Sequence, residues 1–112
     1  MLKHLILAVT LAAPLPAFAQ ETGHEGHMMG DKGPASMAFM EANDRMHQAM
    51  MMEYTGNADV DFVKGMIAHH EGAIAMANDV LTNGKNSEIL ALANAVVSGQ
   101  STEIETLKPL AG

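Results

Sequence analysis

The stretch from Asn57 to Gly84 constrains the fold more than any other part of the chain. Its apolar residues recur at intervals of three and four and form two adjoining stripes, which is the period of an amphipathic α-helix. One stripe is Val60, Val63, Ile67, His70, Ile74, Ala77 and Leu81, and the other is Phe62, Met66, His69, Ala73, Met76 and Val80. Asp59 and Asp61 fall in the first turn, where the helix dipole favours anions. The pattern predicts a helix from about Asn57–Asp59 to Asn83.

Two more helices are predicted, one on each side of this stretch. The first begins near Ser36, an N-cap residue after Pro34, and runs to about Tyr54 before Gly56. One of its faces carries Met37, Met40, Asp44, His47, Met51 and Tyr54. The third begins near Asn86 or Ser87 and ends at Pro109, with an apolar face of Ile89, Leu90, Ala93, Val96, Val97, Gln100, Ile104 and Leu107.

The connections between these helices are short, which favours antiparallel neighbours. The predicted fold class is therefore all-α, with three antiparallel helices in an up-down-up bundle arrangement. Three short helices bury only a modest core, so a homodimer that completes a larger bundle is a further expectation.

The first nineteen residues are typical of a secretory signal peptide. Lys3 precedes an apolar run from Leu5 to Phe18, and Ala17-Phe18-Ala19 has the small-x-small pattern of a cleavage site. The apolar run is shorter than the ~20 residues that a membrane span needs. We therefore predict a signal peptide at 1–19, a flexible His/Met tail at 20–35, a helical metal-binding domain at 36–112, a periplasmic location and no membrane partner.

The charge and the residue types present limit the possible partners. The formal net charge is −7, which argues against nucleic acid as a partner. The chain has no cysteine but eleven methionines, so only methionine and histidine could hold a soft metal.

The predicted second helix carries the sharpest candidate site. Met66, His69 and His70 lie three and four positions apart, which brings side chains within ~6 Å of one another on a helix. Met76 continues the same face, and Ala73 leaves space beside the histidines. Any single methionine is more often core filler, but two adjacent histidines among methionines on an apolar face favour a metal site.

Candidate ligands also lie in the first helix and in the tail. Met46 and His47 lie three or four positions before Met50 and Met51 in the pairs Met46–Met50, His47–Met50 and His47–Met51. Antiparallel packing is expected to bring Met50 and Met51 near Met66 or His70. The tail contributes His24, His27, Met28 and Met29 in a glycine-rich segment with no core to fill, so metal capture is its expected use.

Ligand softness favours copper as the metal ion. Thioethers suit Cu(I) and bind Zn(II), Mg(II) or Ca(II) poorly, whereas imidazole accepts copper in either oxidation state. We therefore expect Cu(I), with Ag(I) as its mimic, in sequestration or in exchange with a copper-donating or copper-accepting protein.

Two other functions compete with this hypothesis. A di-iron enzyme needs inward Glu-x-x-His pairs on two helices, but the chain has this spacing only from Glu21 to His24, in the tail. A helical protein-interaction module would use the methionines as an adaptable face, but it leaves the histidine pair unexplained. No catalytic residue is predicted.

The segment from Asp59 to Ala77 resembles the D-x-D-F-x-x-x-M-I-x-H-H-x-x-A-I-x-M-A signature of the DUF305 family of exported helical proteins. Met46-His47-x-x-Met50 and Gln100-x-x-Glu103-Ile104 also look similar, and the resemblance covers roughly Met37 to Leu110. It implies a ferritin-like helical fold and a periplasmic role in copper binding, transport or tolerance. The metal-binding positions that it implies are Met46, His47, Met50, Met66, His69, His70 and Met76.

Overall fold

The computed structural model describes residues 30–112, which form three α-helices. They are α1 (Pro34–Met50), α2 (Ala58–Asn83) and α3 (Ser87–Leu107), and a short 3₁₀-helix, Lys108–Ala111, follows α3. No strand occurs in this part of the chain, so the prediction of an all-α fold with three helices is confirmed. None of the described helices is both long and apolar enough to cross a membrane. The predicted signal peptide and most of the predicted tail lie outside the described residues.

Asparagine side chains define where α2 and α3 begin. Asn57 Oδ1 accepts hydrogen bonds from the backbone N–H groups of Asp59 at 3.1 Å and Val60 at 3.2 Å. Asn86 Oδ1 does the same for Glu88 at 3.0 Å and Ile89 at 3.2 Å. Each cap satisfies N–H groups that have no partner within the helix, which is why both predicted starts are confirmed.

Helix α1 begins earlier than predicted, with its N-cap three residues before Ser36. Its N-cap is Gly33 and Pro34 occupies the first turn, where the missing N–H costs nothing. Ser36 is not the cap, because its hydroxyl donates to the Asp31 carboxylate at 2.8 Å, and the same carboxylate accepts from the Gly33 N–H at 2.9 Å.

The end of α1 comes four residues before the predicted position, at Met50 rather than Tyr54. Asp61, in the first turn of α2, accepts hydrogen bonds from the backbone N–H groups of Thr55 and Gly56 and from the Thr55 hydroxyl. Gly56 adopts a positive φ of 85°, a conformation that glycine enters without steric cost. These contacts hold the linker against the start of α2, so Met51 and Tyr54 lie outside the helix.

The face of α1 that packs against α2 is not the face that carries the predicted stripe. Met37, Asp44 and His47 are exposed, whereas Ala42 is buried and Met46 is half-buried. The predicted stripe therefore lies largely on the solvent side of α1.

Helix α2 packs against both other helices, whereas the Cα atoms of α1 and α3 stay more than 8 Å apart within the described residues. The buried apolar residues are small for the most part: Ala42, Val63, Ala68, Ala77, Ala93 and Ile104. Gly72 is also buried, and the Met46 side chain lies over it. Small side chains at these positions let neighbouring helices approach closely, as α1 does at Gly72. The ferritin-like arrangement and the homodimer stay predictions.

Candidate metal centre

A pocket of about 240 Å³ lies between α2 and α3, and we call it the α2–α3 pocket. Its walls combine apolar side chains with four kinds of donor atom: thioether sulfur, imidazole nitrogen, carboxylate oxygen and hydroxyl oxygen. The lining residues are Phe62, Met66, His70, Glu103, Thr106 and Leu107. Two of the predicted ligands, Met66 and His70, therefore lie at one site, as their i, i+4 spacing predicts.

His70 is the one polar residue of the described chain that is buried, at 5% exposure. Its Nε2 is hydrogen-bonded to Oε2 of Glu103, whose side chain is 64% exposed. The other ring nitrogen, Nδ1, is also buried but has no hydrogen-bond partner among residues 30–112. A buried polar atom without a partner costs about 1–3 kcal/mol, so a ligand at this nitrogen would recover that free energy.

His69 lies beside His70 in sequence but not in the α2–α3 pocket. Its side chain is exposed, and its ring centroid lies 6.2 Å from that of His70 at an interplanar angle of 65°. The two adjacent histidines thus differ in environment, because successive residues of a helix point about 100° apart.

Met46 of α1 and Met52 of the segment after it lie on another side of α2. A Cβ placed on Gly72 would lie 2.5 Å from the Met46 Sδ, and one placed on Gly65 would lie 3.4 Å from the Met52 Cε. Met46 therefore fills a packing position between α1 and α2.

Neither Met50 nor Met51, which were expected near Met66 or His70, lines the α2–α3 pocket. All residues that line this pocket belong to α2 or α3, and Met51 is 73% exposed. The physical reason is that α1 packs on the Gly72 side of α2, whereas His70 faces Glu103 on α3.

The other predicted ligands are dispersed. Met76 is 44% exposed and, with Ala73, borders an apolar groove of about 340 Å³ that also involves Phe39 and residues of α3. His47 is exposed on α1. The tail residues His24, His27, Met28 and Met29 lie outside the described residues. Within residues 30–112, no three side chains of the His, Cys, Asp or Glu types are grouped as a metal site.

Glu103 is a site residue to which sequence reasoning assigned no role. It belongs to the Gln100-x-x-Glu103 segment, but it lies 33 positions from His70 and on another helix. Helical periodicity relates residues within one helix only, so it contains no signal for this pair.

A family model described as a domain of unknown function, DUF305, matches residues 1–111. The chain belongs to the DUF305 family. A search of curated proteins gives no match. In this DUF305 protein, the signature segment is the first three-quarters of α2, and it supplies Phe62, Met66 and His70 to the pocket.

Proposed function

We propose that this DUF305 protein binds Cu(I) as cargo, with Met66 and His70 as protein ligands in the α2–α3 pocket. One observation carries the proposal: a thioether and a buried imidazole with an unpartnered nitrogen line the same pocket.

The donor chemistry favours Cu(I) over the harder divalent ions. Thioether sulfur is a soft ligand that selects Cu(I), and imidazole accepts copper as well as zinc and nickel. Phe62 and Leu107 contribute hydrocarbon to the walls of the same pocket. Ag(I) shares the softness of Cu(I) and serves as its redox-inert probe.

The biological role that we propose is copper sequestration or delivery in the periplasm, for copper tolerance or homeostasis. The signal-peptide pattern of residues 1–19 supports the location, and the tail residues His24, His27, Met28 and Met29 would provide a first point of capture. Exchange with a copper-donating or copper-accepting protein would follow, without catalysis by this chain.

A Cu(I) competition titration under reducing conditions tests the site. The chain without residues 1–19 is compared with its Met66→Ala and His70→Ala variants. Loss of a residue that only supports a metal ligand typically lowers the affinity about tenfold or more. Each variant removes a direct ligand, so we expect its affinity for Cu(I) at the helical site to fall at least tenfold.

Two variants serve as matched controls in that titration. Met51→Ala removes a thioether that is 73% exposed, and His69→Ala removes the neighbouring exposed imidazole. Both should bind Cu(I) at the helical site as the parent does. Equal affinity in the parent and in both Met66→Ala and His70→Ala would reject the α2–α3 pocket as the site.

A further inference from the structure

We propose that Glu103 is a positioning residue that fixes the His70 ring so that Nδ1 is the nitrogen that binds the metal ion. This inference rests on the proposed function. It adds a ligand atom, His70 Nδ1, and a side chain that supports it, Glu103. Glu103 reaches His70 from α3, so the third helix takes part in the site without providing a ligand.

The hydrogen-bond pattern of His70 carries the inference. A neutral imidazole has one N–H donor and one lone-pair acceptor. An ionised carboxylate only accepts, so the bond between Glu103 Oε2 and His70 Nε2 places the proton on Nε2. The lone pair then resides on Nδ1, the buried nitrogen that has no partner in the part of the chain that the structure describes.

This arrangement is the one that metal-binding histidines generally use. The ring nitrogen that does not bind the metal donates to a carboxylate or a carbonyl, which fixes the tautomer and raises the basicity of the ligating nitrogen. His70 is 5% exposed, so its ring is also held by packing on α2 and α3.

Direct ligation by Glu103 is a weaker alternative for a soft ion. Carboxylate oxygen suits Mg, Ca and Mn, whereas thioether and imidazole suit Cu(I). Binding of the ion at Nε2 instead would require the Glu103 hydrogen bond to break and would leave Nδ1 without a partner.

The tautomer of His70 can be measured without metal. Long-range ¹H–¹⁵N spectra of the ¹⁵N-histidine-labelled protein distinguish a protonated ring nitrogen from one with a free lone pair. In the parent we expect Nε2 to be protonated and Nδ1 to be unprotonated. Glu103→Ala should show a mixture of tautomers. Glu103→Gln should restore the parent tautomer, because its side-chain oxygen still accepts a hydrogen bond. Glu105→Ala, an exposed glutamate on the same helix, should match the parent.

Titration of the same samples with Ag(I) identifies the ligating nitrogen. We expect the His70 Nδ1 resonance to shift on Ag(I) addition, and Glu103→Ala to weaken the affinity about tenfold. A shift at Nε2, or a tautomer and affinity that do not change in Glu103→Ala, would overturn the role of Glu103 and leave the copper proposal intact. If neither His70 nitrogen responds to Ag(I), the proposed function itself fails.

Discussion

At the scale of single residues, Gly72 shows how closely α1 approaches α2. A Cβ at this position would lie 2.6 Å from Cγ and 2.9 Å from Cβ of Met46. The clash involves the root of the methionine side chain as well as its flexible end, so rotation about its outer bonds cannot relieve it. Gly72 thus has a packing role, and Met46 has one too.

Replacement of Gly72 by alanine should therefore destabilise the protein, by about 1–3 kcal/mol as for other overpacked positions. Gly99 is the matched control, since it is an exposed helical glycine and a methyl group added there would have no atom within 4 Å. Gly99→Ala should stabilise by roughly 0.5–1 kcal/mol, because alanine loses less backbone entropy in a helix. Urea unfolding measures both changes, and a stabilising Gly72→Ala would contradict the close contact.

At the scale of elements, the carboxylate of Asp61 accepts several of the hydrogen bonds at the junction between α1 and α2. Asp61 accepts from the Thr55 N–H at 3.0 Å, the Thr55 hydroxyl at 2.9 Å and the Gly56 N–H at 3.1 Å. The Thr55 backbone hydrogen bond is the main reason why the pKa of Asp61 is lower than usual. The folded state thus favours the ionised carboxylate.

The junction should consequently weaken in acid. With a lowered folded-state pKa, the Asp61 contribution is complete above the ordinary aspartate pKa, near 4, and disappears as the pH falls through the lower folded-state value. Asp61→Asn should be less stable than the parent at pH 7 and should lose less stability below about pH 4. Urea unfolding over a pH series tests this, and identical pH dependence in the two proteins would exclude the effect.

At the scale of the whole molecule, α2 is the central helix, and its interface with α1 differs from its interface with α3. On the α1–α2 side Met46 packs on Gly72, and the α2–α3 side contains the candidate site. The described chain has no large side chain that is completely buried, and Phe62, Ile89 and Leu92 are more than half exposed. Association with a second copy stays a prediction, which sedimentation equilibrium can test.

The predicted capture of copper by the tail has a testable consequence for the copper stoichiometry. Replacement of His24, His27, Met28 and Met29 by alanine should lower the number of Cu(I) ions bound per chain. The thermal unfolding midpoint should not change, because the three helices and the 3₁₀-helix lie within residues 34–111. Met66→Ala/His70→Ala is the complementary variant, in which only the tail should bind. An unchanged Cu(I)-to-protein ratio in the tail variant would argue against capture there.

The sequence by itself determined the existence of three helices, the limits of α2 and the start of α3. These features depend on local interactions, such as the caps of Asn57 and Asn86 and the apolar period, which operate within about one helical turn. The i, i+4 relation of Met66 and His70 is local in the same sense, and the structure places both at one pocket.

Only the tertiary structure decided where α1 ends, which of its faces is buried and which groups lie beside His70. Asp61 reaches back across the linker to Thr55, Met46 packs on Gly72, and Glu103 approaches from another helix. Each of these contacts joins residues of different elements, so it depends on how the helices pack, and the spacing of residues within one helix contains no information about it.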